Sequence, residues 1–179
     1  MKAISAQRGA AMIEVLVAML IVAFGVLGFV GLQAQTTVSQ LEGYQRSQAL
    51  ILINDIAQRI TLNRANAAAY VGADIGTTDP GDCSALPVGT PLAAKDLCEW
   101  SNLIRGSAET QGGSKLGAMT GARGCISNPA ANQYLISIAW QGVQATGPSP
   151  NTCGLNAYSN ENMRRAVTTV VHIATLAAP

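Results

Sequence analysis

Between Arg8 and Glu42 the chain carries a single charge, Glu14, and no proline occurs before Pro80. Nothing in that stretch must break a helix. Apart from Glu14, residues Ala10 to Leu32 are apolar or small. As a helix they cover about 34 Å, enough to cross the hydrocarbon core of a bilayer. A helix apolar on every side has no face to offer water, so this segment reads as a membrane span. From about Ala49 the pattern changes. Ala49, Leu52, Ile53, Ile56 and Ile60 share one helical face, while Asn54, Asp55, Gln58 and Arg59 take the other. Asp55 and Arg59 are spaced to pair across one turn. The spacing predicts one long helix from Ala10 to about Asn66, its first half in a membrane and its second half docked on a globular domain.

Glu14 is the anomaly in that span. An ionised carboxylate at a bilayer's centre costs roughly 2.5–3.5 kcal/mol, so such residues default to functional readings. If the chain were cut after Gly9, the new ammonium of Ala10 would lie about 6 Å along the helix from Glu14, within ion-pair reach. The plainer reading is a single-pass anchor whose Glu14 snorkels to the interface.

Arg8-Gly9, then Glu14-Val15-Leu16-Val17-Ala18 after a short gap, resembles the class III signal of type IV pilins and pseudopilins. Met12 to Ala18 with Gly25-Val26-Leu27-Gly28, and Asp96-Leu97-Cys98-Glu99-Trp100 further on, resemble the minor pilins of the PilV type, the type IV pilus modification proteins. The family usually places Phe after the cut, where this chain has Ala10. The resemblance implies cleavage between Gly9 and Ala10 by a prepilin peptidase, N-methylation of Ala10, and an assembly role for Glu14. It implies other minor and major pilins, the inner-membrane assembly platform and a tip adhesin as partners. It also implies a pilin-like α+β fold, a long N-terminal spine helix packed against a small antiparallel sheet. Residues 1–9 would be the leader, 10–32 the transmembrane and assembly half of the helix, and 33–179 a periplasmic globular domain that reaches the cell surface with the pilus.

The leader departs from an ordinary secretory signal, which is cut after its apolar region at small residues. Here Leu32 precedes Ala34 and blocks that pattern. Lys2 and Arg8 precede the span, so they stay cytoplasmic and the rest lies outside. Losing residues 1–9 removes those two bases, leaving 9 basic against 10 acidic residues, and the formal charge moves from +1 to −1. That balance does not point to nucleic acid. The four cysteines, Cys83, Cys98, Cys125 and Cys153, fall on the outer side, where an even count reads as two disulfides. Three connectivities are open. The favoured one, Cys83–Cys98 with Cys125–Cys153, closes local loops of about 15 and about 28 residues, worth roughly 3–4 kcal/mol each.

Beyond the long helix, Gly72–Gly89 reads as a loop, and Thr90-Pro91 as the cap and first turn of a short helix reaching about Arg105. In that helix Leu97, Trp100 and Ile104 share a face. Gly106–Gly121 reads as a surface loop, Gly124–Ile126 as a short strand, and Tyr134–Gln141 and Ala166–Ile173 as alternating strands separated by the loop Gly142–Asn162. A sheet of three or four antiparallel strands follows. Gly25, Gly28 and Gly31 suit either helix–helix packing or a segment able to unwind.

No residue set reads as catalytic. His172 is the only histidine, and neither a nucleophile turn nor a phosphate loop occurs. The cysteines lack metal-ligand spacing, so neither cofactor nor metal is expected. Trp100 and Trp140 read as core, and Arg164-Arg165 as a solvated strand end. The expected function is a minor pilin in pilus assembly or priming. The alternatives are a minor pseudopilin of type II secretion, and a pilin that binds DNA or a surface through Gly106–Gly121 or Gly142–Asn162.

Overall fold

The computed structural model describes residues 8–106, 110–111, 114–115 and 119–174. Lys2, with the leader before Arg8, lies outside the described residues, as does much of the expected loop Gly106–Gly121. The chain divides into two compact units, residues 1–41 and 42–179. One helix, α1 (Arg8–Leu62), contributes to both. It starts earlier than Ala10 and stops short of Asn66. A 3-10 stretch, Arg64–Tyr70, follows, and Asn66 leaves helical geometry inside it (φ −118°, ψ 23°). The tightening carries Tyr70 into the core, where it is fully buried.

The second unit is built on the apolar face of α1. Ala49, Ile53, Ile56 and Ile60 are at most 1% exposed and Leu52 is 9% exposed. They pack with Trp100 and Ile104 of α2 (Leu92–Ile104) and with Ile126, Tyr134, Ile136, Ile138 and Trp140 of the sheet. The two buried indole N–H groups are both satisfied. Trp100 Nε1 donates to the Leu52 carbonyl at 2.9 Å, and Trp140 Nε1 to Gln45 Oε1 at 3.1 Å. Thr90 does not cap α2. Its hydroxyl donates to the Pro87 carbonyl, and Pro91, extended at ψ 140°, holds the cap position, with its carbonyl accepting from Ala94 and Lys95.

Four antiparallel strands form the sheet in the order β1-β4-β5-β6: β1 (Gly72–Ile75), β4 (Thr120–Ala130), β5 (Gln133–Gln141) and β6 (Arg164–His172). A separate two-stranded ribbon, β2 (Thr110–Gln111) with β3 (Ser114–Lys115), lies in the segment expected to be loop. Two expectations need correction here. Gly72–Ile75 is an edge strand and not loop, and the short central strand is eleven residues long. Pro129 is tolerated in β4 because it falls where the β4–β5 register shifts, between Ser127 and Ala130. In β5, Ser137 and Ala139 are buried along with the core-facing residues. Gly154 approaches Ala139, and Asn151 Nδ2 donates to Ser137 Oγ at 3.1 Å, so the loop before β6 covers the sheet's outer face.

The disulfides are Cys83–Cys98 and Cys125–Cys153, the two local closures. The first ties the segment after β1 to α2, and the second ties that covering loop to β4. Gly124 has a packing reason of its own. A Cβ there would collide with the six-membered ring of Trp100 and come within 3.0 Å of Ile104 Cδ1. Gly124→Ala should therefore cost about 1–3 kcal/mol, read as a lower urea midpoint with an unchanged slope; full stability would show that the ring moves aside freely.

Candidate functional site

Within the first unit, α1 presents apolar side chains on all sides. Every large hydrophobic from Met12 to Leu32 is at least 51% exposed, and an 18-residue window reaches a mean hydropathy of 2.8 with none of it buried. By length and composition this helix can cross a membrane. Glu14 is exposed within that surface and has no ion-pair partner among the described residues. Gly9 and Ala10 lie in the first turn of α1. A Cβ added at Gly25, Gly28 or Gly31 would meet nothing within 4 Å, so no packing inside this chain requires those glycines. Past the apolar run, Thr36, Thr37 and Ser39 return their hydroxyls to carbonyls four residues back at 3.0–3.1 Å. That bonding lets polar residues continue the helix without outside partners.

Ion clusters tie the elements of the second unit together. Glu42, the first charge after the apolar run, accepts from the Val143 N–H at 2.8 Å and pairs with Arg165 through both carboxylate oxygens at 3.2 Å. It thereby fastens α1 to the start of β6. Further along α1, Arg59 meets Asp55 at 2.9 Å, Asp96 at 3.0 Å and Glu99 at 2.6 Å. Only the Asp55 contact could be read from helical spacing, because the others join residues far apart in sequence. Burial works against the Arg59 charge, but Glu99, Asp96 and Asp55 together more than offset it and hold the guanidinium protonated beyond its usual range. The Tyr70 hydroxyl donates to Asp96 and accepts from Asn63. Burial, and then that bond to Asp96, push Tyr70 up to about 12. A neutral phenol and three carboxylates on one arginine make a polar joint between α1 and α2.

The joint has a pH signature. Unfolded tyrosine ionises near 10 and Tyr70 in the fold near 12. Its stabilising contribution is whole below pH 10 and is lost as pH rises through 12. Unfolding free energy should fall by about 2–3 kcal/mol over that window, and Tyr70→Phe should shrink the fall. Tyr158, raised by burial against the pull of Arg123, contributes in the same direction and leaves a residual slope. An identical alkaline profile in Tyr70→Phe would exclude Tyr70 as the source.

Arg164 is not a solvated strand end; it is 2% exposed. Its guanidinium donates to the carbonyls of Ser149 at 3.0 Å, Cys153 at 3.2 Å and Asn151, and pairs with Glu161 at 2.5 Å. The expected binding loop Gly142–Asn162 is thus tied down by Arg164, by Cys153 and by Glu42. Of the other loop, Gly106–Gly121, the structure describes only parts. His172 is exposed at the end of β6, and no grouping of three His, Cys, Asp or Glu among the described residues could hold a metal ion. Among the described residues the clearest chemical anomaly is Glu14, a carboxylate exposed within the apolar surface of α1. No protein-family model, curated protein or solved structure matches the chain.

Proposed function

We propose that this chain is a minor subunit of a type IV pilus. It is inserted in the inner membrane by residues 10–32, cut after Gly9 by a prepilin peptidase, methylated at Ala10, and drawn into a filament with other pilins during assembly or priming. The observation that carries this reading is the solitary carboxylate of Glu14, exposed on an otherwise apolar helical surface five residues past Gly9. An unpaired charge is costly in such a setting, whereas a new terminal ammonium on a neighbouring helix would neutralise it. The two disulfides support an oxidising compartment for the second unit. The rigid polar joints at Arg59 and Arg164 suit a structural subunit.

The test is the N-terminal mass of the protein extracted from membranes of a host that expresses a prepilin peptidase. A chain beginning at N-methylated Ala10 is expected. A chain still beginning at Met1 would remove the pilin reading and leave a single-pass anchored domain.

A further inference from the structure

The two edges of the four-stranded sheet are built differently. At one edge β1 has only four residues, a register shift against β4, and Asp74 in left-handed geometry at φ 54°. Short, irregular edges resist further pairing. At the other edge β6 is nine residues long and pairs with β5 with no shift in register. From Ala166 to His172 it carries no proline, lysine or carboxylate, so the side chains that commonly guard an open edge are missing from it.

The backbone bonds fix which residues face outward. Gly142 N–H donates to the Met163 carbonyl, and Ile173 N–H to the Asn132 carbonyl, each at 2.8 Å. Both bonds continue the β5–β6 register, in which Gln141 stands opposite Arg164 and Gln133 opposite His172. Bonded positions alternate in an antiparallel pair. Arg165, Val167, Thr169 and Val171 therefore bond to β5, and Ala166, Thr168, Val170 and His172 turn their N–H and C=O groups outward. None of those outward groups has a partner among the described residues.

A cleft of about 320 Å³ opens along the same edge, lined by Glu42, Arg46, Trp140, Arg165 and Val167 among others. Glu42 is neutralised by Arg165. Arg46 is exposed and has no ion-pair partner among the described residues, so the cleft carries a net positive charge.

We propose that β6 accepts an extended strand from another polypeptide, uncharged except for one glutamate whose stem lies on Val167 and whose carboxylate meets Arg46. Main-chain bonds at the outward positions supply the pairing, and the cleft selects the side chain. A second copy of β6 does not meet this requirement, because β6 contains no acidic residue. The inference rests on the sheet and goes beyond the pilin reading; N-terminal processing can fail while the edge still takes its strand, and the reverse.

The probe is a synthetic peptide, Thr-Val-Thr-Val-Thr-Glu-Thr, N-methylated at both Val and at Glu so that it offers one hydrogen-bonding edge. In antiparallel register its Glu stands opposite Val167. Added to the full-length protein in detergent micelles, it should slow amide exchange at Ala166, Thr168, Val170 and His172 by at least ~10-fold. Val170→Pro deletes an outward N–H without breaking a β5 bond, and should abolish the effect. Arg46→Glu, on an exposed residue, should weaken binding by about 10-fold, and a peptide with Lys in place of Glu should restore it. Unchanged exchange at the four amides would overturn the proposal. So would equal binding of the Glu and Lys peptides, or concentration-dependent self-association through β6 without peptide, which would make a second copy the occupant.

Discussion

Arg164→Met is expected to cost the second unit about 3–5 kcal/mol, the range found when one member of a buried charged pair is removed. Methionine replaces the apolar stem but not the donors. The carbonyls of Ser149, Asn151 and Cys153 lose a common partner, and the Glu161 carboxylate, 27% exposed, loses its ion pair. Fluorescence of the buried Trp100 and Trp140 reports unfolding. With a typical slope of 1–3 kcal/mol per molar urea, the midpoint should fall by roughly 1–5 M. Arg165→Met provides the contrast. Arg165 is 17% exposed and holds Glu42 at the rim, so its loss should cost about 1 kcal/mol. Equal losses in the two variants would mean that Arg164's burial contributes nothing beyond its charge. The Cys125–Cys153 disulfide holds the same loop. Removing both restraints should therefore cost less than the sum of the separate losses, because once the loop is free on one side the other tether constrains less.

This arginine shows where sequence reading stops. The apolar face of α1 is legible from spacing because helical periodicity alone places Ala49, Leu52, Ile53, Ile56 and Ile60 on one side. β5 and β6 are legible because alternating β-branched and aromatic residues suit a half-buried pleat. Local loop closure singles out the disulfide pairs that occur. By contrast, β4 is Thr-Gly-Ala-Arg-Gly-Cys-Ile-Ser-Asn-Pro-Ala, a poor strand former, held extended by its neighbours β1 and β5 and by the Trp100 ring that needs Gly124 bare. β1 is four residues of weak propensity recruited by the same pairing. Arg164 and Arg165 look alike in sequence. Their fates diverge because successive residues of a strand face opposite sides: one points under the covering loop and the other toward Glu42. Tertiary contact decides all of these, and no window of local sequence contains it. The candidate site is different. Glu14 stands out in the sequence because its significance is chemical, a charge where none belongs, and the structure adds that no described part of the chain provides it with a counter-charge.

Glu14→Leu should accordingly separate two properties that a plain anchor would keep together. Removing a carboxylate from the span lowers the insertion cost, by less than the roughly 2.5–3.5 kcal/mol that holds at a bilayer's centre because Glu14 lies near one end of the span, so the variant should enter and remain in the membrane at least as well as the parent. Gly9 and Ala10 are untouched, so cleavage should persist. If the carboxylate serves to meet the Ala10 ammonium of an adjacent helix, incorporation into sheared filaments should drop by at least ~10-fold, since an unmatched buried ammonium costs several kcal/mol. Glu14→Gln supplies the decisive comparison because it keeps the shape and removes only the charge. Loss of incorporation in both variants, with normal processing and membrane level, assigns the role to charge pairing. Retained incorporation in Glu14→Gln alone would assign it to side-chain packing. Retention in both would leave Glu14 as a snorkelling residue on a simple anchor and would end the assembly argument.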